Sequence, residues 1–248
     1  MSDSLHALCT DFYVNLKLNV KMELPQSRET ILDLFERLRR DHPEMSALRR
    51  QRDEISLEAP QSARPHRWVA LKQSSIRAGV VNPTNSVEAY GLHRTLLELT
   101  PFYLSVSPLD VDYLELLFGF DLAAPGNHDR IVADALLAGS PLARALDAAP
   151  GAGVIECQPL VGVVLDAGGQ VEAHVEVKTR RSTGADDNAR EEPISVYVTL
   201  RHFGRVTDAA ELPQRLEELA ERGERLCEDA VAPALLAPLR ETIATGNL

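Results

Sequence analysis

The sequence predicts an α+β protein, a mostly antiparallel sheet with helices packed on one face, arranged as two lobes. Three observations carry that prediction. Phe12, Val14, Leu16, Leu18, Val20, Met22 and Leu24 alternate with Tyr13, Asn15, Lys17, Asn19, Lys21 and Glu23. A period of two places the apolar groups on one side of a strand and the polar groups on the other. One dry face and one wet face is the habit of antiparallel sheets, since parallel sheets are covered on both sides. The same alternation returns at Val171, Ala173, Val175 and Val177, set against Glu172, His174, Glu176 and Lys178, and again at Ile194, Val196, Val198 and Leu200. Elsewhere the spacing becomes helical, as in Ile31, Leu34, Phe35 and Leu38.

The elements follow in order. Residues 12–24 form the first strand, longer than usual, so a bend or bulge is expected. Pro25 ends it. Ser27 caps a helix that Pro43 stops, or restarts as a second short one. The arginine-rich stretch 28–67 carries Arg37, Arg39, Arg40, Arg49, Arg50 and Arg52 among Asp33, Glu36, Asp41, Glu44, Asp53 and Glu54. Interspersed signs predict a solvated helical face. Residues 61–66 read as a loop, and 67–73 and 75–81 as short strands. Asn85, with Glu88 at capping-box spacing, starts a helix over 86–99 that Pro101 closes. Strands follow at 102–107 and 111–121, where Leu114, Leu116, Phe118 and Phe120 share a face.

Asn127 caps a helix over 128–138, and Ser140-Pro141 starts another. The small-residue run 148–153 is the expected boundary between an N-terminal α+β lobe, 1–148, and a C-terminal lobe, 149–248. The second lobe reads as a three-stranded meander plus a long kinked C-terminal helix. Its strand 154–166 is interrupted at Pro159, and Ala167-Gly168-Gly169-Gln170 is a turn. The strands 171–179 and 194–203 are separated by a polar loop, 180–192. Leu212, Leu216, Leu219, Leu226 and Val231 keep helical spacing, and Pro233 and Pro238 are expected to break or kink the helix. Both lobes share a loose plan of long strands with helices on one side, without a sequence repeat.

A chain of 248 residues buries a sizeable core without staples. Its three cysteines, Cys9, Cys157 and Cys227, are odd in number and far apart, which points to a reducing compartment, the cytoplasm. The N-terminus lacks the basic start and apolar run of a signal peptide, and no stretch approaches the ~18 apolar residues of a membrane span. A net charge of −11 repels phosphate backbones. Neither nucleic acid nor a membrane is therefore an expected partner.

One string has a chemical look. Gly126-Asn127-His128-Asp129 resembles the asparagine-histidine block of calcineurin-like metallophosphoesterases. That resemblance implies Asn127 as a metal ligand and His128 beside the leaving group, with a dinuclear metal activating water. It covers four residues. The Asp-x-His, Gly-Asp-x-x-Asp and Gly-His-x-His blocks of that family are missing. Asp110, Asp112 and Asp121 are nearby acids at other spacings. Capping chemistry accounts for the same string: Asn127 caps a helix after a Pro125-Gly126 turn, and Asp129 favours its positive end.

No Gly-x-Ser-x-Gly elbow or G-x-G-x-x-G loop occurs. Cys157 reads as a small core residue. His174 and His202, on neighbouring strands, would make a metal pair only if they faced each other and gained Glu172 or Glu176. No cofactor and no bound metal are expected; Asn127, His128 and Asp129 are the metal candidates that the resemblance offers.

The expected function is that of a non-catalytic binding or assembly protein of the bacterial-type cytoplasmic class. It would act through protein–protein contacts, as a homo-oligomer or with a protein partner. The alternatives are a metal-dependent phosphoesterase-like hydrolase using residues 126–129, and a small-molecule binder with a pocket between the lobes.

Overall fold

The computed structural model describes residues 7–147, 153–179 and 192–246. Its strands are β1 (Asp11–Val20), β2 (Ala47–Gln51), β3 (Glu54–Glu58), β4 (His66–Lys72), β5 (Ser75–Val81), β6 (Val111–Leu122), β7 (Leu160–Val164), β8 (Val171–Lys178) and β9 (Ile194–His202). They form one sheet in the order β2-β3-β4-β5-β1-β6-β9-β8-β7. Every neighbouring pair is antiparallel. The helices are α1 (Arg28–Asp41), α2 (Ser86–Tyr103), α3 (His128–Leu136), α4 (Pro141–Asp147), α5 (Glu211–Leu226) and α6 (Ala237–Thr245), with a π-helical segment, Cys227–Leu236, joining the last two. The architecture is α+β, as the alternation predicts.

The alternation of β1 sets the layers. Phe12, Val14, Leu16, Leu18 and Val20 are buried, and their odd-numbered neighbours are half-buried. Full burial of each such side chain contributes roughly 1.5–3 kcal/mol. On the dry side α2 packs over β1 and β5, and α5 over β6 and β9. Gly223 permits the second contact, because a Cβ there would sit 2.2 Å from the buried Phe118 ring. The other side of the sheet carries the polar series.

The chain repeats its plan about the central β1–β6 pair. β1, α1, the meander β2–β5 and α2 are followed by β6, α3, α4, the meander β7–β9 and α5. In both halves the last meander strand returns beside the first strand, β5 beside β1 and β9 beside β6. β7 thus corresponds to β3. The first meander has one strand more, β2, which covers the outer edge of β3.

Several expectations need correction. β1 ends at Val20, where its register with β6 shifts, and Met22 points to solvent. The arginine-rich stretch is a helix only as far as Asp41. Arg49 and Arg50 lie on β2, one strand of an edge hairpin. Pro101 lies inside α2, which continues to Tyr103, so the strand expected at 102–107 is the helix end and a connection. A proline in the last turn loses only one hydrogen bond of the ladder. The strand expected at 154–166 is confined to Leu160–Val164. Around Pro233 the α-helix gives way to the π-helical segment without a break in the helical run, and Pro238 lies in the first turn of α6. The π-helical turn is wider and moves the carbonyl that the Pro233 ring would otherwise meet. Most of the expected lobe boundary at 148–153, and of the polar loop at 180–192, lies outside the described residues.

Among the described residues, no helix is long and apolar enough to cross a membrane.

Candidate functional site

Each residue of the 126–129 string has a part in starting α3 or in fastening it. Gly126 takes φ 84°, the left-handed turn that glycine adopts freely. The Asn127 side chain accepts from the Arg130 amide at 3.1 Å. His128 Nε2 lies 2.7 Å from the Ala124 carbonyl. Asp129 is buried and accepts twice, from the Cys157 amide at 2.8 Å and from the Thr179 hydroxyl at 2.6 Å. It therefore ties α3 to the segment before β7 and to the end of β8. Burial, with Asp129 beside it, pushes the Cys157 thiol up and away from thiolate chemistry.

The nearby acids are bonded elsewhere. Asp110 accepts from the Ser107 amide, Asp112 from Asn19, and Asp121 from Tyr13 and Ser195. Among the described residues no group of three or more His, Cys, Asp or Glu side chains converges as a metal site would require. His174 and His202 do not face each other. His174 stands opposite Thr199 on the polar face, whereas His202 ends the buried series of β9. Burial and the Arg215 guanidinium hold the His202 imidazole below its usual pKa.

The polar face of the sheet carries tyrosines, a tryptophan and charged side chains. Its charges pair across strands: Arg201 with Glu115 at 2.6 Å, Arg49 with Glu58 at 3.1 Å, Arg77 with Glu54 at 3.4 Å. Exposed pairs of this kind contribute little, about 0–1 kcal/mol each. Two glycines in strand interiors shape the middle of the face. The Tyr13 ring lies across Gly119, and the Trp68 ring across Gly79. A Cβ at either position would be within 2.4 Å of the ring. Beside them opens a depression of about 470 Å³ lined by Asp11, Tyr13, Asn15, His66, Trp68 and Asp121, among others. Burial, with Tyr197 and Asp121 adjacent, keeps the Tyr13 phenol protonated well above its usual range.

The two sheet edges differ. β2 presents Leu48, Arg49, Arg50 and Gln51, charged in the way exposed edges usually are. β7 is Leu-Val-Gly-Val-Val, exposed at all five positions and without a charge. Leu160, Val161 and Val164 are each about 60% exposed and Val163 45%. The Val177 amide donates to the Pro159 carbonyl and the Leu165 amide to the Val171 carbonyl. Hydrogen-bonded pairs alternate along an antiparallel ladder, so residues 159, 161, 163 and 165 face β8. The main-chain groups of Leu160, Gly162 and Val164 therefore point outward. Among the described residues β8 is the only strand β7 pairs with.

The chain matches no known family model and no curated protein. Among solved structures it is similar to a chain of the complex of A. aeolicus tRNASec with M. kandleri SerRS. The identity is 12%, over 96% of this chain and 32% of that one, with a TM-score of 0.28. A likeness at that level carries no argument.

The β7 edge escapes a reading based on motifs. Its signal is a strand apolar on both faces, 160–164, in a chain whose other long strands alternate. Such a run fits a strand buried on both sides as well as a bare edge, and only the strand order distinguishes them.

Proposed function

We propose that this protein is a non-catalytic binding or assembly protein that takes an added strand from a protein partner at β7. The uncharged, outward-bonding edge of β7 carries this reading. An edge of this kind offers main-chain hydrogen bonds for affinity and alternate side chains for selectivity, the mode of recognition known as strand addition. Natural sheets blunt unused edges with charge, as β2 does here, so an unblunted one is a surface meant to be covered. The bonds made by Asn127, His128 and Asp129 support a structural role for that segment rather than a hydrolytic one.

The test is a short, dye-labelled alternating valine–threonine peptide flanked by lysines, titrated with the full chain and followed by fluorescence anisotropy. Saturable binding to the wild type that is lost in Val164→Pro is the expected result. Val164→Pro removes an outward amide without touching the bonds to β8. Equal binding by the two proteins, or none by either, contradicts strand addition at this edge.

A second reading, a small-molecule binder, is supported by the depression beside Tyr13 and Trp68, whose volume falls in the range of about 300–1,000 Å³ typical of ligand sites. Trp68 is the only tryptophan of the chain. Its fluorescence would change on ligand binding there and stay constant if ligands bind elsewhere.

A further inference from the structure

We infer that the strand added to β7 is the β7 strand of a second copy of this chain, running antiparallel across a two-fold axis at Gly162. The inference rests on the strand-addition reading and names its partner. Three observations on β7 lead to it.

The first is the repeated plan of the chain. β3, the counterpart of β7, has β2 against its outer edge, and among the described residues no strand takes that place beside β7. Among the described residues, one strand is what the second half lacks.

The second is register. The outward groups belong to residues 160, 162 and 164, a set symmetric about Gly162. A two-fold axis there sets Gly162 opposite Gly162 of the other copy, and Leu160 opposite Val164. Each of these is a hydrogen-bonding pair, so every outward donor and acceptor of one β7 meets its complement on the other.

The third is side-chain chemistry. Leu160-Val161-Gly162-Val163-Val164 reads nearly the same in both directions. Self-pairing sets valine or leucine against valine, and no charge meets a like charge. The opposite edge fails this test. Self-pairing of β2 about its central residue would place Arg49 against Arg49.

One short strand per copy is a small interface, at the low end of the size range, so self-association in the micromolar range is expected. The exposed Val161 and Val163, on the side of the sheet that carries the helices, add apolar area beside the axis.

The test is sedimentation velocity of the full chain across about 1–200 µM, for the wild type and Val164→Pro. A reversible monomer–dimer equilibrium in the wild type, weakened about tenfold or more in Val164→Pro at an unchanged circular-dichroism spectrum, is the expected result. Gly162→Cys gives a second readout that does not depend on the proline variant folding. Across the axis the two Cα atoms would be about 5.5 Å apart, within disulfide range, so mild oxidation should link two copies through residue 162. A wild type that stays monomeric throughout, or a dimer without a bridge at 162, overturns the second-copy assignment. If the wild type stays monomeric but the valine–threonine peptide still binds, strand addition stands with a different partner. If the peptide also fails, both readings fall together.

Discussion

His93 sits within α2 with no exposed surface, and among the described residues neither ring nitrogen has a hydrogen-bond partner. Burial alone pushes its pKa down to about 3 from an ordinary value of 6.5. In the unfolded chain it titrates near the ordinary value, so between those two pH values the unfolded state binds one proton more. The stability tied to neutral His93 is therefore complete above about pH 6.5 and is lost progressively as the pH falls towards 3. The slope reaches about 1.4 kcal/mol per pH unit. Urea melts of His93→Leu should show a shallower decline than the wild type between about pH 6.5 and 4. Parallel declines would contradict this account. Asp129 makes a second prediction at this scale. Asp129→Ala leaves the buried Cys157 amide and Thr179 hydroxyl without their acceptor and should cost roughly 1–3 kcal/mol, read as a lower urea midpoint. His128→Ala loses one contact of a half-buried ring, to the Ala124 carbonyl, and should cost less. The capping roles of Ser27, Asn85 and Asn127 were legible, because a cap is a local bond between neighbours in sequence. The partners of Asp129 were not. Cys157 lies 28 residues away and Thr179 lies 50 away, and no local pattern links them.

At the scale of elements, α5 shows packing prevailing over propensity. Alanine favours a helix over glycine by about 1 kcal/mol. At Gly223, however, the added methyl meets Phe118 and Leu200, both fully buried and closely held. Overpacking of that kind costs about 1–3 kcal/mol, so Gly223→Ala should destabilise on balance. A higher melting temperature for that variant would show that α5 can lift from the sheet at little cost. Strands with one wet face were readable from their period, and β1, β6, β8 and β9 appear close to where the alternation puts them. The β2–β3 hairpin was not. Its two strands have five residues each: β2, at the edge, has no dry face to produce alternation, and in β3 the alternation of Ile55 and Leu57 with Glu54, Ser56 and Glu58 is short. Prolines misled for a related reason. Their effect depends on the turn that holds them, and both the last turn of α2 and the π-helical segment accommodate one.

The whole molecule is a sheet whose two ends are unequal. One end finishes in arginines, and the other in five uncharged residues with outward main-chain groups. The continuity of the sheet through β6 and β9 is not written in any local pattern, because it arises from pairings more than seventy residues apart. The β7–β9 meander that follows pairs locally, and β7 becomes the end of the whole sheet only through that distant join. The candidate site was visible as an apolar run and invisible as an edge. The central claim, that β7 accepts a strand, is tested most directly by hydrogen exchange of single amides in the full chain, read by NMR at low and high protein concentration. The amides of Val161, Val163 and Leu165 face β8 and should be protected at both concentrations. Those of Leu160, Gly162 and Val164 should exchange quickly in dilute solution and become protected as the concentration rises. Fast exchange of these three at every concentration, with or without added peptide, would contradict the account.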